Sequence, residues 1–543
     1  MAGPSKVRRE AGVIGLLYAS LGSIIGSGWL FGALNASLQA GSFSMFSWII
    51  GASAVLFLAF VFAELSTMFP NSGALVHMTH VSHGDMVGKI WSWILFLAFV
   101  SVPPVEVIAV LTYTNSLIPA NSGIPSFLDT NGLLTHTGTV TAMFLLAVVV
   151  ALNFMAIRLV IAINSVTTWW KLLVPVATIF ILMAYSFHPG NMTAQLDSTP
   201  VSGIFTAVGT AGIIFSFLGF QQAIALAGET RNPGKYVPIA LIGSVVIALL
   251  VYLGLQFAFI VALQPGDIAN GWTHLNFKGM FGPLAAILTT VGAVWWAAVL
   301  YFDAVVSPLG TAFIYITGSP RILMAAGEMG NAPKHVTKLN RHGVPWIALV
   351  ATYVAGAAFF FPFPSWPKLV SAVSSITVLS YSIGPVILLH LRSAMPGTTR
   401  PFRLKGAKIV SLIAFVASNW IIYWTGCYVM SVLFVLVGGY VAVVLVMHLL
   451  VKRLPASDLG WQQAWWLLPY FIGMWLISYF GPSVSGMGGN DSFGFFTGMG
   501  IIAVFSVAIL VLALKCGQSA KAAQECAESI KDLGSRGMEM PLH

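Results

Sequence analysis

The feature that most limits the fold is a succession of apolar segments, each near the length one helix needs to cross a bilayer. A hydrocarbon core about 30 Å thick takes roughly 20 helical residues. Such windows lie near 11–33, 43–69, 90–118, 138–157, 163–186, 203–228, 236–263 and 288–318. Others lie near 345–363, 367–391, 408–427, 429–451, 461–481 and 493–514, which makes about fourteen spans. In hydrocarbon no water pairs with exposed backbone groups, so segments of this length are expected to be helices. The chain therefore reads as an all-α polytopic membrane protein. Its 8% of charged residues is far below the roughly 25% of a soluble domain.

The formal net charge is +9, but the basic residues recur in short clusters between apolar segments. That pattern reports topology rather than nucleic-acid binding, and no nucleic-acid partner is expected. With a cytoplasmic amino terminus, Lys89, Arg158, Arg231, Lys235, the Arg321 to Arg341 loop, the Arg392 to Lys408 loop, Lys452 and Arg453 all fall inside. Lys278 and Lys368 fall outside. The positive-inside rule thus favours one orientation, with both termini cytoplasmic in a cytoplasmic (plasma) membrane. Lys6, Arg8 and Arg9 precede an apolar run as they would in a signal peptide. That run continues without a convincing cleavage site and reads as a retained first span.

Two spans carry interruptions. Gly22-Ser23-Ile24-Ile25-Gly26-Ser27-Gly28 sits inside the first, where each glycine costs about 1 kcal/mol against alanine and each freed backbone group costs several. A small-residue packing face is one reading. The other is a discontinuous helix whose freed amides face an anionic ligand near the membrane midplane. Phe215-Ser216-Phe217-Leu218-Gly219-Phe220-Gln221-Gln222 interrupts the sixth span. Breaks at corresponding positions of two five-helix halves point to an inverted-repeat transporter with its site between the halves.

These residues also carry a resemblance. Gly22 to Gly32 (GSIIGSGWLFG) resembles the opening signature of the amino acid/polyamine/organocation transporters. Four further pieces fit in order: Glu64-Leu65 with Pro70-Asn71-Ser72-Gly73, Asn153 through Lys171, Phe215 to Pro233 (FSFLGFQQAIALAGETRNP), and Arg321 through Pro333 leading to Val344-Pro345. The resemblance implies a ten-helix 5+5 inverted-repeat core over 11–395 with broken helices 1 and 6. Around it would lie a cytoplasmic amino terminus (1–10), about four extra helices (396–517) and a cytoplasmic tail (518–543). It further implies that Ile24, Gly26, Ser27 and Gly28 form the first half of a substrate site. There the Ser27 and Gly28 amides would receive a carboxylate and the Ile24 carbonyl an α-ammonium. Phe215, Ser216, Phe217, Leu218 and Gly219 would form the second half, and Tyr315 would line the chamber. Two departures stand out: Trp29-Leu30 replaces the commoner isoleucine-phenylalanine, and Gln221 stands where glutamate is frequent.

Charges within spans are functional candidates by default. Lys171 is either a lysine snorkelling to the cytoplasmic interface or, as the resemblance implies, a substitute for a sodium ion between the first and eighth helices that couples transport to protons. Glu106 follows Pro103-Pro104 in the third span and has three readings: binding a cationic side chain, carrying a proton, or capping a proline-bent helix. Asp303 lies about 27 Å outward of Arg321 by helical rise, which suggests an external vestibule. Glu64 and Glu229 are expected to pair with basic residues of neighbouring loops.

The expected function is secondary transport of an amino acid by alternating access, proton-coupled or as an exchanger, with substrate, protons and membrane lipid as partners. A polyamine or other organic-cation carrier is the alternative, and a non-transporting membrane sensor a further one. Cys427, Cys516 and Cys526 are too sparse for a disulfide framework or metal site. No HExxH, GxSxG or GxxxxGK[ST] pattern occurs. Neither an enzyme nor a metal nor a cofactor is expected.

Overall fold

The computed structural model describes residues 12–69, 74–118, 122–123, 125–154, 157–227, 230–277, 282–451 and 460–537. Among them the regular elements are helices, and β pairing is confined to two isolated bridges, Leu128 with Leu134 and Leu339 with Pro345. The first apolar segment forms α1 (Val13–Ile24) and α2 (Gly28–Ala40), followed by α3 (Ser44–Met68), α4 (Ala74–Val100), α5 (Val102–Asn115), α6 (His136–Leu152) and α7 (Ile157–Tyr185). The sixth segment divides into α8 (Ser202–Thr210), α9 (Ile213–Phe217) and α10 (Gln222–Ala225). Then come α11 (Pro233–Ala262), α12 (Pro283–Thr290), α13 (Val294–Glu328), α14 (Trp346–Ala358) and α15 (Trp366–Ala394). The last part holds α16 (Ala407–Trp424), α17 (Cys427–Val446), α18 (Trp461–Ala464), α19 (Leu467–Phe480), α20 (Phe495–Cys516) and α21 (Ala520–Gly537).

Nine of the described helices, joined across small steps where they run on, are long and apolar enough to cross a membrane, or ten if the bent pair at 202–224 counts as one span. The chain is a multi-pass membrane protein. Its helices sort their side chains accordingly. On α7, Trp169 and Leu173 are 64% and 62% exposed while Lys171 between them is 0% exposed, so this helix turns an apolar face outward and its charge inward. Phe144 on α6 and Val504 on α20 likewise face out. The interior is built where α3 meets α11, where α13 meets α4, α5 and α7, and where α15 meets α4 and α16. Those crossings surround the two interrupted helices.

One end of α3 is tied down by charge. Glu64, fully buried, accepts from Arg392 Nε at 2.9 Å, from Arg392 Nη2 at 2.5 Å and from the Leu404 amide at 2.7 Å, with Arg400 Nε 3.3 Å away. A buried carboxylate needs such pairing, and here it fastens α3 to the connection between α15 and α16. The polar tail forms α21, with Ala523 and Ala527 buried and its first turn reached through Gln518, which donates to the Ser82 and His80 carbonyls. Residues 1–11, Pro70 to Gly73, Glu229, Lys278, Lys452 and Arg453, which entered the sequence reading, lie outside the described residues.

Candidate functional site

Helical bonding runs through Gly22 and Ser23 to Ile24, so the first interruption is narrower than the glycine-serine run: it spans Ile25 to Ser27. Ile25 is extended (φ −85°, ψ 91°), and α2 closes its first turn with Leu30 N donating to the Ser27 carbonyl at 3.1 Å. The leading amides of a helix have no partner within it. The Ser27 amide finds one in Glu106 of α5, donating to Oε2 at 2.8 Å. Glu106 is fully buried and its other oxygen, Oε1, has no hydrogen-bond partner among the described residues. The carboxylate thus meets the start of α2 and not its own proline-bent helix.

The second interruption has two steps. Gly212, at φ +89°, separates α8 from α9 and lets the chain bend by 54°. Gly219, at φ +115°, follows Leu218 in extended backbone and ends α9; its amide donates to Gln221 Oε1 at 3.0 Å. Both φ values favour glycine. The Leu218-Gly219 step falls within the expected break, whereas the Gly212 step lies outside it.

The two interruptions face each other at close range. A Cβ on Gly219 would lie 2.7 Å from the Ser23 carbonyl carbon, and one on Gly28 would lie 2.2 Å from Ser216 Oγ. Ser20 Oγ donates to the Phe220 carbonyl at 3.2 Å across the same gap. A Cβ on Gly26 would meet Glu106 Oε1 at 2.2 Å and Thr311 Oγ1 at 3.0 Å. Gly28 and Gly219 therefore permit approaches to backbone that a side chain would disturb, while at Gly26 the atoms met are the ends of the Glu106 and Thr311 side chains.

Lys171 does not snorkel. Its Nζ donates to the Gly22 carbonyl of α1 and to Thr311 Oγ1 of α13, each at 2.8 Å. Thr311 in turn donates to the Ile25 carbonyl at 3.3 Å. Pro175 lacks the amide that would bond the carbonyl of residue 171, so α7 is locally weakened where it delivers its lysine. Lys171 is within electrostatic reach of two carboxyls, Glu106 and Asp303. Its charge is thus held against the first interruption by α1, α7 and α13 together.

On one side the interruptions are covered by rings. Trp366 of α15 donates through Nε1 to Ser27 Oγ at 2.9 Å, with its ring 4.7 Å from that of Phe31 and 6.2 Å from that of Phe215. On the other side stand polar groups. The Tyr315 hydroxyl lies beside Ser23 and Gln221, and Gln221 lies beside Tyr381. Ser23 Oγ, Gln221 Nε2, Tyr315 Oη and Tyr381 Oη are all buried and, among the described residues, have no partner in hydrogen-bonding geometry. Phe217 points elsewhere, packing on Trp48 and Tyr252 with ring centroids 5.9 and 5.4 Å away. Asp303 is not at an open vestibule either: it is 0% exposed, two helical turns along α13 from Thr311. A cavity of about 480 Å³ lined by Pro200, Val201, Pro482, Asp491 and Phe493 is remote from these residues, and its composition offers no set of converging charges.

Thr311, Trp366 and Tyr252, whose hydroxyl reaches the Ile24 carbonyl at 3.4 Å, went unnoticed in the sequence reading. Thr311 had a signal, since it belongs to a polar residue series at every fourth position of α13. Trp366 had none, because tryptophans of a membrane protein are more often interfacial anchors.

A family model described as amino acid permease matches residues 12–477. The chain is 36% identical over 521 residues to the glutamate/serine transporter AimA of Bacillus subtilis (strain 168), covering 94% of this chain and 95% of that protein. It is 30% identical to an aspartate-proton symporter of the same organism over 90% of this chain and 93% of that protein. A serine/threonine exchanger, SteT, also from that organism, is 24% identical over 77% of this chain and 91% of its own length.

Proposed function

The chain belongs to the amino acid permease family and is an amino acid transporter rather than an enzyme; from that premise we propose that it carries small polar or acidic amino acids by alternating access, with proton coupling through Glu106 and Lys171. The substrate range is taken from relatives described as glutamate/serine, aspartate-proton and serine/threonine transporters. About fourteen spans with cytoplasmic termini and a 5+5 inverted-repeat core complete the reading. Helices α1 to α7 would form one half, and α8 to α15 the other.

The observation that carries the mechanism is the Glu106 carboxylate on the Ser27 amide. A helix amino terminus favours an anion through its free N–H groups and its dipole. Glu106 stands where the substrate's α-carboxylate is to bind, at the Ser27 and Gly28 amides. Two carboxylates there repel each other, so an arriving amino acid displaces Glu106, and a proton taken up by Glu106 removes the charge that would otherwise be left buried and unpaired. Substrate and proton binding are thereby linked at one amide. The Ile24, Phe215 and Leu218 carbonyls accept from the α-ammonium, while Ser216 and Gly219 shape the facing wall. Lys171 keeps α1, α7 and α13 together while charged and loosens them when it gives up its proton. Trp366 and Phe215 close one side and Tyr315 with Gln221 the other.

The test is uptake of radiolabelled L-serine, L-glutamate and L-aspartate into proteoliposomes with and without an inward proton gradient. At least one of them is expected to accumulate severalfold more with the gradient, and its entry to acidify the lumen. Uptake that is indifferent to the gradient overturns the coupling but not the carrier. No uptake by folded protein, or uptake of polyamines alone, overturns the substrate class.

A further inference from the structure

Asp303, Ser307, Thr311, Tyr315 and Ser319 recur at every fourth position of α13 and are 0%, 0%, 2%, 1% and 0% exposed. Residues four apart lie one above another, about 6 Å of helical rise between them. They form one buried polar line along a helix whose Phe302 is 61% exposed. Thr311 meets Lys171 at the interruption and Tyr315 belongs to the polar side beyond it. Asp303 stands at the opposite end of the line, and nothing in the substrate contacts above requires it.

Its surroundings are those of an acid with a use for its proton. Ser307 Oγ donates to Asp303 Oδ1 at 2.6 Å, while Oδ2 is buried without a partner. Among the described residues no cation pairs with it directly, and a buried carboxylate in that state is costly. The Trp170 indole of α7 lies beside the carboxyl as well, but neutral donors such as Ser307 and Trp170 would be served by an amide at lower cost. The titratable neighbours are Lys171 from α7 and Tyr113 from α5, and Tyr113 in turn meets Tyr301 of α13. Tyr113 lies beside Asp303, and its ring is T-shaped to that of Tyr301, with centroids 5.9 Å apart; Tyr301 is partly exposed. Helices α12 and α14, which also pack on α13, contribute no charged residue.

We propose that Asp303 is the proton-loading carboxyl that recharges Lys171 from the Tyr301 side, with Ser307 holding it in place. This rests on the proton-coupled reading above. In the step, the O–H bond of the Asp303 carboxylic acid breaks and the proton passes along the Ser307 and Thr311 hydroxyls, each O–H breaking as the next forms, until an N–H bond forms on the neutral Lys171 amine, leaving a carboxylate and an ammonium. The Asp303 carboxylate then takes its next proton from a hydronium ion in the water on the Tyr301 side. Given the proposed topology, that side is external. Lys171 can pass the charge on to Glu106, since both stand at the first interruption, on the Gly22 carbonyl and the Ser27 amide.

The experiment measures radiolabelled serine accumulation and lumenal pH together in proteoliposomes of the full chain. Asp303→Asn is expected to lower proton-driven accumulation at least tenfold and to flatten its dependence on external pH. Serine homoexchange, which needs no net proton movement, is expected to fall less than threefold. Asp303→Glu should restore accumulation to within threefold of wild type. An Asn variant with wild-type accumulation and pH profile overturns the proposal, as does one in which exchange and accumulation fall equally. Should the Asn variant not be monodisperse, Ser307→Ala is to shift the midpoint of the external pH profile by half a unit or more, and an unmoved midpoint overturns the proposal. Wild-type uptake without lumenal acidification removes the coupled reading itself, and is seen before any variant is made.

Discussion

Replacing Lys171 by methionine is expected to reduce net amino acid uptake at least a hundredfold while leaving a folded, monodisperse protein. Methionine fills a similar volume and is at home in an apolar interior. What it removes is a buried ammonium that bonds the Gly22 carbonyl and Thr311 Oγ1, both at 2.8 Å. Hydrogen bonds to charged groups contribute about 1.5–3 kcal/mol each, and two such bonds are worth roughly a hundredfold or more. They join α1 and α13 to α7 at the first interruption, so their loss changes how the interruption is held. The measurement is initial uptake of labelled serine, with thermal unfolding in detergent as control. Uptake within threefold of wild type would show that transport does not need the Lys171 ammonium.

Gly28→Leu is expected to be as severe, through shape rather than charge. A Cβ at residue 28 would lie 2.2 Å from Ser216 Oγ and 3.1 Å from the Ser216 Cα, and leucine adds three more carbons. Side-chain atoms can rotate away, but backbone at that distance has to give, and the two interruptions are then pushed apart. A misplacement of about 1 Å is enough to ruin a preorganised site. Substrate binding should weaken by two orders of magnitude or more. The cause can be checked by a pair of smaller changes: Gly28→Ala alone should impair binding, and adding Ser216→Gly, which removes the nearest atoms, should recover part of the loss. Purely additive effects would place the two residues out of contact.

The sequence disclosed the interruptions because glycine and serine are expensive in a membrane helix, and it disclosed Lys171, Glu106 and Asp303 because charge there is more expensive still. It pointed to Glu64 pairing with loop arginines for the same reason. The partners were harder to see. Nothing local to Glu106 shows that its carboxylate reaches across 79 residues to the Ser27 amide, and the proline pair before it drew attention to its own helix instead. The narrowness of the first interruption was hidden because helical bonding runs on through Gly22 and Ser23, with Ser23 packed against Gly219. Gly212 escaped notice because a lone glycine between Ala211 and Ile213 looks like packing, and only its φ of +89° reveals the bend. Asp303 was placed by helical rise alone, which measures depth but not burial.

The relative positions of Glu64, Arg392 and Arg400 bear on how the molecule moves. Their network fixes one end of α3 to the α15–α16 connection, whereas the interruptions are joined by glycine contacts and a few hydrogen bonds. Motion is expected where such restraints are weak, which places the pivot at the interruptions and not at the helix ends. That arrangement lets α1 and α9 shift by small backbone rotations at Gly26 and Gly219 while the ends stay paired.

The proposed recognition places the substrate's α-carboxylate on backbone amides at the start of α2 and its α-ammonium on carbonyls. It is tested most directly by competition against labelled L-serine on the purified protein, using L-serine methyl ester, which lacks the carboxylate charge, and ethanolamine, which lacks the carboxylate altogether. Charge-assisted bonds of about 1.5–3 kcal/mol each predict that both compounds compete roughly a hundredfold more weakly than serine. Ethanolamine or the ester competing as well as serine would contradict the account, because the anion site at Ser27 and Gly28 would then contribute nothing to recognition.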